Sequence, residues 1–129
     1  MTNLPADYSY SEEHEWIDAT GNVAGRTVRV GVTNVAAEAL GEIVFVELPV
    51  VGDTVTAGEP CGEIESTKSV SDIYSPVTGT VTAINGELDA EPGTINEDPF
   101  DAGWLFEVQV TEAGDLMDAD AYASANDIK

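Results

Sequence analysis

The stretch Cys61-Gly62-Glu63-Ile64-Glu65-Ser66-Thr67-Lys68-Ser69-Val70-Ser71-Asp72-Ile73-Tyr74-Ser75-Pro76 decides how this chain is read. In its first half Cys61, Glu63 and Glu65 alternate with Gly62, Ile64 and Ser66. In its second half Val70, Asp72 and Tyr74 alternate with Ser71, Ile73 and Ser75. A two-residue period marks a half-buried strand, because successive side chains leave a strand on opposite faces. Between the halves, Ser66-Thr67-Lys68-Ser69 is small and polar, as turns are. Pro76 has no N–H to give a ladder and should close the second strand. The pattern predicts a β-hairpin with Lys68 at its exposed tip.

Lysine is scarce elsewhere. The 129 residues hold 25 Asp plus Glu against 4 Lys plus Arg, for a net charge of -21. The basic residues are Arg26, Arg29, Lys68 and the terminal Lys129, so Lys68 is the only lysine inside the fold. This balance argues against nucleic acid and anionic membrane as partners, since both are bound through Lys and Arg. The acids are dispersed rather than gathered in a tail. Dispersal predicts a folded surface adapted to high salt, as in a halophilic prokaryote, where self-repulsion is screened. An acidic DNA mimic is the rival reading, and it needs ordered charge rows that the sequence does not display.

At 43% hydrophobic residues there is material for one core, and a single domain over 1–129 is expected. No apolar run approaches the roughly 20 residues of a membrane span. The N-terminus lacks the basic and apolar regions of a signal peptide, so cytoplasmic residence is the default expectation. The single cysteine, Cys61, excludes an internal disulfide and a CxxC redox pair. It reads as a small apolar strand residue.

Upstream of the hairpin, residues 1–13 read as an extended or loosely ordered lead-in. Thr20-Gly21-Asn22-Val23-Ala24-Gly25 reads as a turn between short strands. Val28, Val30 and Val32 alternate as a strand. Thr33 or Asn34 can cap a helix over Val35–Leu40 that stops at Gly41, with Glu38 at its N3 or N4 position. Ile43–Leu48 reads as a strand closed by Pro49, and Thr54–Thr56 as another. Downstream, Pro76-Val77-Thr78-Gly79 predicts a turn, Thr80–Ile84 a strand and Asn85-Gly86 a turn. Residues 87–103, with Pro92, Gly93, Asn96, Pro99 and Gly103, predict a long irregular loop of the kind that carries function. Trp104–Val110 is a strand. The tail 112–129 is Ala- and Asp-rich and predicts one or two short surface helices. Thr54-Val55-Thr56-Ala57 recurs as Thr80-Val81-Thr82-Ala83 with Lys68-Ser69 midway, as a quasi-two-fold β fold would produce, although chance recurrence of four common residues explains it too. The expected class is mainly β with short peripheral helices.

An exposed lysine is protonated at neutral pH. A catalytic lysine needs burial or neighbouring cations to lose that charge, and nothing basic lies close in sequence. Two readings remain: a solvated surface lysine, or a site of covalent attachment. A prosthetic group in amide linkage would make the tip a swinging arm, with the cofactor supplying the chemistry and the protein the position.

Glu65-Ser66-Thr67-Lys68-Ser69-Val70-Ser71-Asp72-Ile73-Tyr74-Ser75-Pro76-Val77-Thr78-Gly79 resembles the lipoyl-lysine motif of glycine cleavage system H proteins. Biotinyl carriers and the lipoyl domains of other multienzyme complexes share its outline and stand as the alternative. Three further stretches resemble the H proteins: His14-Glu15-Trp16-Ile17, Gly31–Asn34 with Gly41–Pro49, and Pro92–Phe100 with Gly103-Trp104. A biotin carrier would flank its lysine with methionines, and the flanks here are Thr67 and Ser69. Thr67 and Val35 depart modestly from the family pattern.

The resemblance implies a flattened β-barrel or sandwich of the lipoyl/biotinyl-carrier (hybrid barrel) type, and a carrier rather than an enzyme. Lys68 would bear lipoate covalently. The arm would shuttle an aminomethyl group and reducing equivalents between three partners. These are a glycine decarboxylase (P-protein), an aminomethyltransferase (T-protein) and a dihydrolipoyl dehydrogenase (L-protein). A lipoate-attaching enzyme is a further partner. Glu15 and Asp72 match family residues that contact the arm, and carboxyl groups in a cleft that excludes water would protect a cationic aminomethyl end. Glu65, three positions before the lysine, matches a residue tied to recognition by the lipoylating enzyme. His14 and Trp16 are expected to pack the N-terminal segment. No catalytic residue and no metal site are expected.

Overall fold

The computed structural model describes residues 4–114 and 116–126. The ends of the predicted lead-in and tail, 1–3 and 127–129, lie outside them. The lysine hairpin forms from β6 (Pro60–Ser66) and β7 (Val70–Tyr74), with Glu65 opposite Val70 and Ile64 opposite Ser71. Ile64 and Ile73 point inward at 2% and 0% exposure. Thr67, Lys68 and Ser69 form an exposed turn between them. With β4 (Ile43–Glu47) the hairpin makes a three-stranded sheet in the order β4-β6-β7.

A second sheet has six strands in the order β1-β2-β3-β9-β8-β5. These are β1 (Ser9–Tyr10), β2 (Glu15–Ile17), β3 (Thr27–Val32), β5 (Thr54–Val55), β8 (Val77–Ile84) and β9 (Phe106–Ala113). One apolar cluster draws on both sheets, with Val46, Ile64 and Ile73 from one and Val28, Val30, Val81, Phe106 and Val108 from the other. Burial of alternate residues from each sheet is what holds such a sandwich together. The result is mainly β, a flattened barrel or sandwich with short helices at its edge. The repeated Thr-Val-Thr-Ala segments meet each other, since β5 pairs antiparallel with β8 and sets Thr54 opposite Thr80.

Helix α1 (Asn34–Leu40) is capped by Thr33, whose side chain accepts from the Ala36 N–H. It ends at Gly41, at φ 82, a backbone that a side chain would disfavour. With Thr33 as cap, Glu38 falls beyond the first turn, which holds no acidic residue, and the expected dipole role is corrected. Two further expectations change. Val77–Gly79 is not a turn but the start of β8, where a Cβ on Gly79 would strike the Gln109 carbonyl of the neighbouring strand. A glycine chosen for close approach had been read as a glycine chosen for a turn. The 87–103 loop is also less irregular than its prolines suggest. Asn85 caps a 3₁₀ turn at Gly86–Asp89, and α2 (Thr94–Glu97) follows.

A second cluster ties the beginning of the chain to its end. Tyr10, Trp16 and Tyr122 of α3 (Ala119–Ala125) are all buried, and the Tyr10 and Tyr122 rings stack at 5.0 Å. The Trp16 indole N–H donates to the carbonyls of Val32 and Pro99. His14 adopts φ 72 and its Nδ1 lies 2.7 Å from the Tyr122 hydroxyl, which in turn meets Thr33 Oγ1 at 2.7 Å. Burial lowers the His14 pKa from its ordinary value, in keeping with a neutral packing residue. The expected structural use of His14 and Trp16 is met.

Candidate functional site at the hairpin tip

Lys68 is exposed, yet the turn that presents it is tightly made. The Ser66 hydroxyl accepts from the N–H groups of Lys68 at 3.2 Å and Ser69 at 3.1 Å, and the Ser66 N–H reaches the Ser69 carbonyl at 2.8 Å. This is the turn chemistry for which a serine before a tip is suited. The lysine side chain lies over Gly41, since a Cβ there would come within 3.0 Å of Lys68 Cε and 3.5 Å of Nζ. Among the described residues no hydrogen bond or ion pair holds the ammonium. The amine is free to react at the end of a fixed support.

The support comes from a distant segment. The Thr67 N–H donates to the Glu42 carbonyl at 3.0 Å, tying the tip to the loop after α1. That loop is gripped on both sides by Asn96. Its Nδ2 donates to the Gly41 carbonyl at 2.7 Å, and its Oδ1 accepts from the Ile43 N–H at 3.0 Å. Asn96 thus positions the lysine without touching it. In sequence it was only one polar residue of a loop, and no local spacing marks a side chain that bonds a backbone 55 positions away. Asn96→Ala should cost about 1–2 kcal/mol, the loss of two hydrogen bonds that order a loop. It should also speed hydrogen exchange at the Thr67 N–H. Exchange at the wild-type rate would remove Asn96 from the support.

The two carboxyl groups named for the arm sit in unlike surroundings. Asp72 is exposed on β7, opposite Glu63. Glu15 is 2% exposed. Its Oε1 accepts from the Ser11 hydroxyl at 2.8 Å, and its Oε2 from the Tyr74 N–H at 3.3 Å. It therefore joins β2 of one sheet to β7 of the other. Burial pushes its pKa up from 4.5 to about 8, with the Ser11 and Tyr74 hydrogen bonds opposing the rise. At neutral pH it is mostly the neutral acid. Cys61 lies near enough to feel it: burial first, then Glu15, pushes the thiol up to about 12, so Cys61 is an inert packing thiol. Glu65 is half-buried and sits between Phe45 and Val70 in the sheet. A cleft of about 960 Å³ opens elsewhere, beside Ser11, Glu13, Ser75 and Met117, and neither Lys68 nor Asp72 lines it.

Comparison with known proteins places this geometry. The family model described as glycine cleavage H-protein matches residues 8–127. The glycine cleavage system H protein of Corynebacterium aurimucosum is 67% identical over 129 residues, covering 99% of each chain. That of Corynebacterium jeikeium is 64% identical over 98% of this chain and 100% of its own. A crystal structure of a glycine cleavage system H protein from Mycobacterium marinum superposes with a TM-score of 0.93 at 51% identity, covering 97% of this chain and 100% of that one.

Proposed function

The chain belongs to the glycine cleavage H-protein family, and from that premise we propose that Lys68 carries lipoate in amide linkage. The chain is a carrier component of the glycine cleavage system and not an enzyme. The observation that supports Lys68 is its free, exposed amine on a turn braced from below. Acylation needs that amine deprotonated at the moment of attack. The C–N bond forms, the activating group leaves the acyl carbon with its electron pair, and the ammonium protons pass to solvent. The bound lipoyl group supplies a disulfide that can be opened to a dithiol and closed again.

What this chain adds is position. Ser66, Gly41 and Asn96 hold the root of the arm while the arm itself sweeps. Its stations are a glycine decarboxylase, an aminomethyltransferase and a dihydrolipoyl dehydrogenase. Glu15 and Asp72 serve the arm from β2 and β7, and Glu65 is read by the lipoate-attaching enzyme. We place the chain in the cytoplasm; among the described residues no helix is long and apolar enough to cross a membrane. The acidic surface suits a medium of high ionic strength, where charges are screened over about 10 Å or less. The melting temperature should therefore climb steadily with sodium chloride, and a flat response would end the halophilic reading.

Intact mass of the protein from its native source tests the assignment. A lipoyl adduct on Lys68 is expected. An unmodified lysine in cells grown on glycine overturns it, and a biotin-sized adduct moves the chain to the carboxylase carriers.

A further inference from the structure

The last described helix hangs on one side chain. α3 is too short to be stable alone, and Tyr122 is its buried residue. The Tyr122 hydroxyl lies 2.7 Å from His14 Nδ1 and 2.7 Å from Thr33 Oγ1, and Thr33 Oγ1 also accepts from the Ala36 N–H at 3.5 Å. Thr33 is fully buried. With a neutral His14 every proton in this line finds an acceptor: Thr33 donates to Tyr122, and Tyr122 donates to an Nδ1 that carries no proton. A doubly protonated His14 reverses the line. Nδ1–H then donates to Tyr122, Tyr122 donates to Thr33, and the Thr33 hydroxyl proton has no acceptor among the described residues. The line also runs on toward the lysine. The Ala37 N–H donates to the Thr33 carbonyl at 3.0 Å and the Gly41 N–H to the Ala37 carbonyl at 3.1 Å. Gly41 lies beneath Lys68, and the next carbonyl, of Glu42, receives the Thr67 N–H.

We infer that the His14–Tyr122–Thr33 line is a proton-released latch, through which the C-terminal helix stiffens α1 and, with it, the support under Lys68. Neutral His14 closes the latch. A second proton opens it, α3 loosens, and the cap of α1 loses its hydroxyl partner. Two discrete arrangements of one bonded line are what coupling between distant segments requires. The latch stands whether or not Lys68 is acylated. His14 is half-buried, so protons reach it from solvent. The groups that bear on the pair come from each element around it. Glu13, beside His14 in the chain, favours the cation. Tyr10 of β1 stacks on Tyr122, Glu15 of β2 acts on Tyr122, and the start of α1 brings Thr33, which does not titrate. Burial prevails and holds the His14 pKa below 6.5. Between its folded value and 6.5 the unfolded chain carries the proton and the folded chain does not. The latch therefore contributes fully above about 6.5 and is lost as pH falls.

The test is amide hydrogen exchange of the full chain, followed residue by residue by NMR and corrected for intrinsic rates. It is run in a Glu15→Gln background, because Glu15 titrates in the opposite sense. From about pH 7.5 to about pH 5, protection at Ala36, Ala37, Gly41 and Thr67 should fall about ten-fold, the scale of one buried hydrogen bond lost. The Val110 N–H, bonded to the Arg26 carbonyl at 2.8 Å beside the β3–β9 ladder, serves as reference and should keep its protection. Tyr122→Phe leaves the ring against Tyr10 and removes the hydroxyl, so it should show the acid level of protection at both pH values. His14→Asn suits the left-handed backbone at φ 72 and cannot titrate, so its protection should not respond to pH. A pH response that survives in either variant would overturn the latch. An equal fall at Val110 would overturn it too, as global loosening. A fall at Ala36 and Ala37 that spares Gly41 and Thr67 would sever the latch from the lysine support and overturn the inference.

Discussion

Lys68→Arg should leave the fold intact and abolish glycine cleavage supported by this chain. The position is exposed and its side chain bonds to nothing among the described residues, so the stability change should stay within about 0.5 kcal/mol. Charge is kept and length nearly so. What is lost is a nucleophile. A guanidinium holds its proton throughout the accessible pH range and cannot attack an acyl carbon. Lys68 is the only lysine among the described residues, and Arg26 and Arg29 have the same defect as the variant. The measurements are intact mass after incubation with ligase, lipoic acid and ATP, and carbon dioxide release from glycine with the other purified components. Turnover by the Arg variant would show that the arm is rooted elsewhere.

Glu15→Gln should change how stability depends on pH. In the folded protein the Glu15 carboxyl titrates near 8, against an ordinary value of 4.5. Between these values the native state holds a proton that the unfolded state has released. Its stabilising contribution is therefore complete below pH 4.5, falls as pH rises, and is gone above about 8. The slope approaches 1.4 kcal/mol per pH unit, so the total is on the order of 5 kcal/mol. Glutamine is neutral at every pH. Its amide oxygen can still accept from the Tyr74 N–H, and its NH₂ can donate to the Ser11 oxygen. Urea midpoints of wild type and variant should nearly coincide at pH 5 and diverge toward pH 9, the variant becoming the more stable. Parallel profiles would mean that Glu15 is ionised in its site. Combined with Asp72→Asn, the same substitution tests the arm role. The glycine cleavage rate should fall with lipoate attachment unchanged, and an unchanged rate would confine Glu15 to joining the sheets.

The hairpin, its lysine and the main strands were legible because their signals are local. Alternation over Cys61–Tyr74 needs no knowledge of what lies beneath, and a turn of Ser66, Thr67 and Ser69 closes on its own hydrogen bonds. The stop of α1 at Gly41 could be read for the same reason. Misreadings came where one residue type answers two needs. Gly79 looked like a turn and serves close contact with β9, and the prolines around α2 looked like a long irregular loop.

Sequence alone determined that this chain would be a β fold with a lysine at the tip of a hairpin, since strand periodicity and the near-absence of lysine are written along it. Only the tertiary structure decided what braces that amine and which acid is neutral. Asn96 reaches Gly41 across 55 positions, and Tyr74 reaches Glu15 across 59. Such pairs depend on which backbone groups are left unpaired after the sheets form, and desolvation depends on what then covers them. Neither quantity exists until the chain has closed on itself.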